Sequence, residues 1–237
     1  MDLDHLVRAV VAPIFVVLVS ILIATKSTRL GNKSRFHLRR MLFHVTIGLT
    51  CAAVGQYFIP PFLCTYVLTT SIIVFYVLHQ IRLISPPFNA RFNRLFSFLL
   101  RPSEFDSLPT AFYFLIGMNI AITFFDADIA ILSILFLAIG DPTASLFGTW
   151  LASGDSIRFS NGKTVIGALA NFTACSITGI LYLRSTHSQT YMIYSVIGAL
   201  AASLSELITL PGVDDNLAIP LTSALALTAL RRLLPVK

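Results

Sequence analysis

Apolar stretches long enough to cross a lipid bilayer alternate along the chain with short polar segments. A final apolar run, residues 217–230, is shorter, and either a tilted span or a re-entrant segment would accommodate it. The pattern predicts a single domain over residues 1–237, an all-α, polytopic integral membrane protein of seven to eight transmembrane helices. The seven spans are predicted at residues 9–25, 41–59, 62–79, 109–125, 129–150, 164–183 and 190–210.

The longest polar interruption between these spans covers residues 80–108. Pro86 and Pro87 break its start, and a set of apolar residues further on recurs at helical spacing. This spacing predicts one interfacial amphipathic helix, which would lie on the membrane and guide lipid entry, or would only tether two spans. The apolar residues are Phe92, Leu95, Phe96, Leu99 and Leu100.

Composition supports a membrane protein and excludes a soluble globule. Hydrophobic residues make up 56% of the chain and charged residues 12%, whereas soluble domains contain about 25% charged residues. The net charge of +6 comes from basic residues that cluster between the apolar runs, where they fit anionic lipid headgroups. No aromatic and basic RNA-binding signature is present, so we expect no nucleic-acid partner.

The distribution of basic residues predicts the orientation in the membrane. The loop at residues 26–40 holds six Lys and Arg residues, and the positive-inside rule places it in the cytoplasm. Counting spans from this loop brings most of the ionisable residues of the later segments to the same face. We therefore expect one polar site at the cytoplasmic face, formed from His44, Glu104, Asp141, Lys163, Glu206, Asp214 and Asp215.

Asp141 lies inside an otherwise apolar run. An ionised carboxylate within a membrane costs a few kcal/mol, so it normally faces a polar cavity or a partner. Gly140, Asp141 and Pro142 would interrupt the fifth span, with Asp141 as the N-cap of a new helix. The functional alternative is a ligand of Mg²⁺ or a general base, and the two roles can coexist.

The segment Gly162-Lys163-Thr164 resembles the end of a phosphate-binding P-loop. The first glycine of that motif would fall on Ile157, and no strand precedes it, so a P-loop fold is excluded. A lysine at a helix start would neutralise phosphate oxygens, or would anchor the chain at the membrane interface.

Further acidic and basic residues complete the candidate site. Asp214 and Asp215 repel each other unless water, lysine or a divalent cation compensates, and a solvated turn is the alternative. Glu206 lies within the seventh span, which favours a functional role. Arg40 and His44 share one helix face and could hold a phosphate, although Arg39 and Arg40 also suit a role in setting topology. This inventory of acids, bases and a membrane-level pocket indicates phosphoryl transfer.

Five segments resemble one family, in its order. The chain resembles the CTP-dependent lipid-alcohol kinases, the family of dolichol kinase, phytol kinase and fungal diacylglycerol kinase, over residues 38–227. FNRLF at 92–96 and FFDADIAILSIL at 124–135 resemble the diacylglycerol kinase branch, although Pro142 stands where that branch often has threonine. The five segments are RRMLFH at 39–44, RPSEFDSLPTAFYFLIG at 101–117, GDPTAS at 140–145, GKTVIGALANF at 162–172 and ELITLPGVDDNLAIP at 206–220.

The resemblance implies transfer of the γ-phosphate of CTP to a lipid alcohol, most specifically diacylglycerol, to give phosphatidate with Mg²⁺ or another divalent cation. The alternatives are a dolichol or phytol kinase, a phosphatidate cytidylyltransferase and a lipid or ion transporter. It implies the membrane of the endoplasmic reticulum or nucleus in a eukaryote, or the inner membrane in a bacterium. The residues it indicates are Asp141, Lys163 and Glu206 for catalysis; Arg39, Arg40, His44, Gly162, Lys163 and Thr164 for the nucleotide; Asp141, Asp214 and Asp215 for the metal; and Glu104 and Asn216 as further motif residues.

Overall fold

The computed structural model describes residues 32–57, 59–97, 99–151, 156–159, 161–184, 190–208 and 212–234. These residues form eight α-helices, a short 3₁₀-helix at Pro102–Glu104 and one isolated β-bridge, which confirms the predicted all-α class. The span predicted at residues 9–25 lies outside the described part. The helices are α1 Asn32–Tyr57, α2 Pro61–Ile84, α3 Pro86–Phe96, α4 Thr110–Phe124, α5 Ala127–Trp150, α6 Val165–Leu183, α7 Tyr191–Leu207 and α8 Asp215–Leu233.

Three described helices, α2, α5 and α6, are long and apolar enough to cross a membrane. Shorter apolar segments follow at Met41–Gly55, Thr110–Phe124 and Tyr191–Leu207, where further spans are predicted. Large apolar side chains stand exposed along α2, among them Phe62, Tyr66 and Ile84. Such a surface suits lipid and not water, so the helices have the character of a polytopic membrane protein.

The helices divide into two compact units, with the boundary inside α4 between Asn119 and Ile120. In the first unit, Arg82 of α2 is buried and orders the polar segment that follows it. Its guanidinium lies 4.3 Å from the ring centroid of Phe92 on α3 and donates to the carbonyl oxygens of Glu104 and Phe105 at 3.1 and 2.7 Å. Arg82 therefore joins α2, α3 and the 3₁₀-helix into one substructure.

The amphipathic helix begins and ends earlier than its apolar spacing predicts. Helix α3 starts at Pro86, because proline is tolerated in the first turn of a helix, where its missing N–H has no partner to lose. It ends at Phe96, so Leu99 and Leu100 lie beyond it, and Leu100 is buried. The break predicted at the prolines is present, since α2 ends at Ile84, but the prediction that the amphipathic helix extends through Leu100 is wrong.

In the second unit, α5 is the central helix and packs against α6, α7 and α8. All its residues from Ile129 to Ala138 are buried. Close contacts show that α5 and α6 are antiparallel: Gly148 lies against Thr164, Ala144 against Gly167 and Gly140 against Asn171. Antiparallel packing repeats through α7 and α8, so the loop after α5 and the loop after α7 lie at the same end of this unit.

Helix α5 runs without interruption through Pro142, so the prediction of a break and an N-cap at Gly140–Pro142 is wrong. Proline removes one backbone hydrogen bond and crowds the preceding turn. The carbonyl that loses its partner is that of Ala138, and the Thr143 hydroxyl bonds instead to the next carbonyl, that of Ile139, at 2.6 Å. Burial of α5 on three neighbours supplies the rest of its stability.

Glycines allow these helices to approach closely. A Cβ atom at Gly179 of α6 would lie 2.9 Å from Cβ and 3.0 Å from Cα of Ser195 on α7, so it could be accommodated only if the helices moved apart. Small residues at such crossings replace the hydrophobic driving force that is missing between helices in lipid.

We expect Gly179→Ala to lower the stability of the protein by about 1–3 kcal/mol, the range for overpacked cores. The measurement is the thermal midpoint of purified protein in detergent. Gly55→Ala is the matched control, because a Cβ at Gly55 of α1 would meet no atom within 4 Å. An equal loss of stability in both variants would contradict the role of close helix approach.

Candidate active site

One end of the second unit carries the polar residues that the sequence singled out in this part of the chain. The antiparallel arrangement brings together the ends of α5 and α7 and the starts of α6 and α8. Thr164 caps α6, and Asp214 caps α8. Two helix N-termini therefore lie at this end, and their unsatisfied N–H groups and positive dipole ends favour anions.

The connection into α6 is a tight turn that presents Lys163. The N–H of Phe159 donates to the carbonyl of Lys163 at 2.8 Å, and the N–H of Gly162 donates to the carbonyl of Phe159 at 2.8 Å. Gly162 has a φ of 81°, a left-handed conformation that glycine adopts without strain. The turn has the bonding of a three-residue hairpin loop with glycine at its left-handed position. Gly162 thus shapes the turn that carries Lys163.

Lys163 connects this turn to α7 and α8. Its ammonium lies 2.7 Å from Oδ2 of Asp215 and 3.3 Å from Oε1 of Glu206, and it also donates to the backbone carbonyl of Glu206. The side chains are largely shielded, with exposures of 20% for Lys163, 8% for Glu206 and 25% for Asp215. An ammonium has three N–H donors, so this set of acceptors occupies them all.

The site holds more negative than positive charge among the described residues. The carboxylate of Asp141 interacts electrostatically with both Glu206 and Asp215, and Asp214 interacts with Asp215. Two carboxylates, those of Glu206 and Asp215, pair with the ammonium of Lys163, and the charges of Asp141 and Asp214 act on this pair. Like charges this close repel one another, so the cluster is suited to bind a further cation.

Two predicted ligands make local structural contacts. The carboxylate of Asp214 accepts the backbone N–H and the side-chain amide of Asn216, at 2.9 and 2.8 Å, as the cap of α8. The buried hydroxyl of Thr164 accepts the N–H of Gly167 at 3.1 Å as the cap of α6. Their predicted roles, a metal ligand and a nucleotide contact, stay predictions.

Two buried oxygens at the start of α8 are of the kind that binds a hard cation. Oδ1 of Asp215 and Oδ1 of Asn216 are inaccessible to solvent and accept no hydrogen bond. Carboxylate and amide oxygens are the protein ligands that Mg²⁺ prefers, and Mg²⁺ completes its shell with water and substrate phosphates. Within the described residues, no group of three His, Cys, Asp or Glu side chains converges as a metal site. Asp215 and Asn216 therefore supply two candidate oxygen ligands, and any further ligands of a cation would come from water or a bound phosphate.

The remaining predicted residues belong to the first unit. The His44 ring packs edge-on against Phe114, with 4.7 Å between ring centroids. The side chains of Arg39 and Arg40 lie outside the described part. Glu104 is buried, and its carboxylate accepts the N–H groups of Arg101 and Thr110, at 2.7 and 3.1 Å. These bonds order the segment that leads into α4, which is a structural role.

The sequence analysis did not single out two asparagines that have well-defined contacts in this unit. Asn161 in the turn contacts both Lys163 and the end of α7. Asn171 of α6 is fully buried against Gly140, and its Oδ1 accepts a bond from the thiol of Cys175 at 3.2 Å. A signal for Asn171 was present, because it is a polar residue inside an apolar span. Asn161 gave no such signal, since asparagine before glycine is ordinary in turns.

Comparison with known proteins points to the same group of proteins that the motifs resemble. No family model matches the chain, and no solved structure matches it. Three curated proteins named CTP-dependent diacylglycerol kinase 1 do. The protein of Eremothecium gossypii is 27% identical over 211 residues, which cover 81% of this chain and 66% of that protein. The Saccharomyces cerevisiae protein is 25% identical over 215 residues, covering 83% and 74%.

The Schizosaccharomyces pombe protein is 29% identical over 148 residues, covering 59% of this chain and 68% of that protein. The chain thus spans about two thirds of the length of these relatives. Two of the three alignments cover more than four fifths of this chain. The chain is therefore similar to the fungal CTP-dependent diacylglycerol kinases, in agreement with the resemblance that its motifs carry.

Proposed function

We propose that this chain is a membrane lipid kinase that transfers the γ-phosphate of CTP to diacylglycerol and forms phosphatidate. The observation that carries the proposal is the cluster of Lys163, Glu206 and Asp215 at the end of a bundle of apolar helices. The names of the three relatives supply the donor and the acceptor. Phosphoryl transfer depends mainly on positioning and on charge stabilisation, which such a cluster provides.

Lys163 binds the phosphates of CTP in this proposal. All three donors of its ammonium are engaged by Glu206 and Asp215, so binding requires that the ammonium exchange at least one of these acceptors for a phosphate oxygen. The long, flexible stem of lysine permits this movement. The N-termini of α6 and α8 add fixed positive potential at the same end of the bundle.

A divalent cation would be held by oxygens of Asp215 and Asn216, with Asp141 contributing its negative charge. When bound, it neutralises the phosphates of the nucleotide. Asp214 keeps its place as the cap that orients Asp215 and Asn216 at the start of α8. Either Asp141 or Glu206 accepts the proton of the acceptor hydroxyl, because each is an acid within or beside an apolar helix.

The site faces the cytoplasm in this proposal, because CTP is water-soluble and the basic residues between positions 26 and 40, some of which lie in the first turns of α1, orient the chain that way. The protein lies in the endoplasmic reticulum or nuclear membrane if its source organism is a eukaryote. It lies in the inner membrane if the source organism is a bacterium. The lipid reaches the site from within the bilayer.

Purified protein in detergent tests the proposal with CTP labelled at either the γ- or the α-phosphate, offered diacylglycerol, dolichol and phytol in parallel. We expect γ-label, and not α-label, in phosphatidate, and loss of transfer on chelation of divalent cations. Lipid labelled from the α-position with phosphatidate as acceptor would identify a cytidylyltransferase instead. Label in dolichol or phytol alone would move the chain to another branch of the family. Transport without CTP turnover would contradict an enzyme.

A further inference from the structure

The side chain of Asn161 connects the turn that carries Lys163 to the end of α7. Its Oδ1 accepts the backbone N–H of Lys163 at 3.1 Å, and its Nδ2 donates to the carbonyl of Leu207 at 2.9 Å. The first bond is local and closes the turn, as asparagine side chains commonly do. The second joins segments that lie 46 residues apart in the chain.

These contacts provide hydrogen-bond partners for backbone carbonyls at the end of α7. The last carbonyl groups of a helix have no partner within the helix. Asn161 supplies a donor to the carbonyl of Leu207, the last residue of α7, and Lys163 supplies one to the carbonyl of Glu206. Two residues of one turn thus bind two successive carbonyls, which fixes the register between the turn and the helix.

Among the described residues, this turn is held by the hairpin bonds of Phe159 with Gly162 and Lys163 and by the bonds of Asn161. The side of Gly162 on which a Cβ would lie is open, with no atom beyond its chain neighbours within 4 Å. The position of the Lys163 backbone therefore depends on hydrogen bonds, and those of Asn161 reach across to another helix.

We propose that Asn161 is a positioning residue for Lys163. It fixes the turn on the end of α7, and it thereby holds the lysine side chain where its ammonium can reach the Glu206 and Asp215 carboxylates or a nucleotide phosphate. Asn161 uses only the backbone N–H of Lys163, so its contacts persist when the ammonium exchanges one partner for another. This inference rests on the proposed function, since it takes Lys163 as the phosphate-binding cation.

Two substitutions separate the contacts of Asn161. Asn161→Asp keeps an acceptor for the Lys163 N–H but loses the donor to Leu207, and Asn161→Ala loses both. We expect both variants to raise the KM for CTP by roughly 3- to 10-fold, the effect of one or two hydrogen bonds, with the KM for diacylglycerol unchanged. Thr149→Ala is the control, because the exposed Thr149 hydroxyl bonds only to carbonyls of its own helix, and it should behave as the wild type.

A second readout does not depend on turnover. The rate at which an amine-acylating reagent modifies Lys163 is measured by mass spectrometry of purified protein in detergent, with Lys33 of the same chain as internal reference. The contacts of Lys163 protect its ammonium in the wild type. We expect Asn161→Ala to raise the relative rate several-fold, and Thr149→Ala to leave it unchanged.

Unchanged KM for CTP and unchanged Lys163 reactivity in both Asn161 variants would overturn the inference. The inference would also be overturned if the Asn161 variants lost kcat/KM equally for CTP and diacylglycerol and had a lower thermal midpoint. That result would indicate a role in folding alone. Lys163→Ala separates this failure from that of the proposed function. An inactive Lys163→Ala beside a normal Asn161→Ala rejects only the positioning role, whereas an active Lys163→Ala rejects the phosphate-binding role of the lysine itself.

Discussion

Lys163→Ala is expected to lower kcat/KM for CTP-dependent phosphorylation of diacylglycerol by about 10²–10³-fold, as loss of one key charge-stabilising group does. Lys163 is the cation that contacts Glu206 and Asp215 among the described residues, and no other described lysine or arginine pairs with either carboxylate. The measurement is incorporation of label from γ-labelled CTP into phosphatidate by purified protein.

A structural explanation of such a loss must be separated from a chemical one. Removing one partner of a buried ion pair leaves the other charges uncompensated and can cost about 3–5 kcal/mol, less where the pair is partly exposed as here. The combined variant Lys163→Met, Glu206→Gln and Asp215→Asn removes the three charges and nearly conserves volume. We expect it to recover most of the thermal stability that Lys163→Ala loses, and to remain inactive.

Arg158→Ala provides a matched control for the lysine. Arg158 lies in the same turn and is exposed, and its backbone pairs with Thr164 in the isolated bridge. Its substitution should change activity by less than about threefold, because an exposed charge contributes little. Equal losses in Arg158→Ala and Lys163→Ala would point to general positive charge near the membrane and not to a specific phosphate contact.

Asp141→Asn is expected to reduce activity by at least about 10²-fold while the protein stays as stable as the wild type or becomes more stable. The Asp141 carboxylate repels Glu206 and Asp215, so its neutralisation relieves a cost of the folded state. The same change removes negative charge for a cation and one of the two candidate acceptors of the hydroxyl proton. On the same preparation, activity should therefore fall while the thermal midpoint stays unchanged or rises.

Ser145→Ala is the control for Asp141→Asn, because Ser145 lies one turn further along α5 and is exposed. It should leave both activity and stability unchanged. A fall in stability of Asp141→Asn would show that the carboxylate supports the fold, and undiminished activity would exclude it from the reaction.

Local sequence signals predicted much of the fold. Apolar length predicted the helices: the predicted ends at residues 150 and 183 coincide with the ends of α5 and α6, whereas α2 continues five residues past its predicted end, to Ile84. The predictions around proline were less accurate. The break predicted at Pro86 is present, but the same proline also begins α3, and Pro142 was taken as a helix start but lies within α5. At Pro86 the missing N–H has no helical partner to lose, and at Pro142 the burial of α5 against its neighbours maintains the helix despite the lost bond.

The sequence predicted which residues belong to the candidate site, but not which of them contact one another. The sequence placed Asp141, Glu206, Asp214 and Asp215 in one inventory of acids, with no means to rank them as partners of Lys163. In the structure Asp214 turns to its own helix as a cap, while Asp215, the next residue, reaches the lysine. Adjacent residues at a helix start point in different directions, so composition alone cannot distinguish them.

The sequence by itself determined that the solvent of this protein is largely lipid, that its chain is helical, and which ionisable residues stand against the apolar background. Those properties are local, because hydropathy and helix length need no distant partner. The tertiary structure alone decided that Lys163, Glu206 and Asp215 form one cluster and that Asn161 ties their turn to α7. That outcome depends on the antiparallel register of α5 to α8, which close contacts between residues far apart in the chain establish.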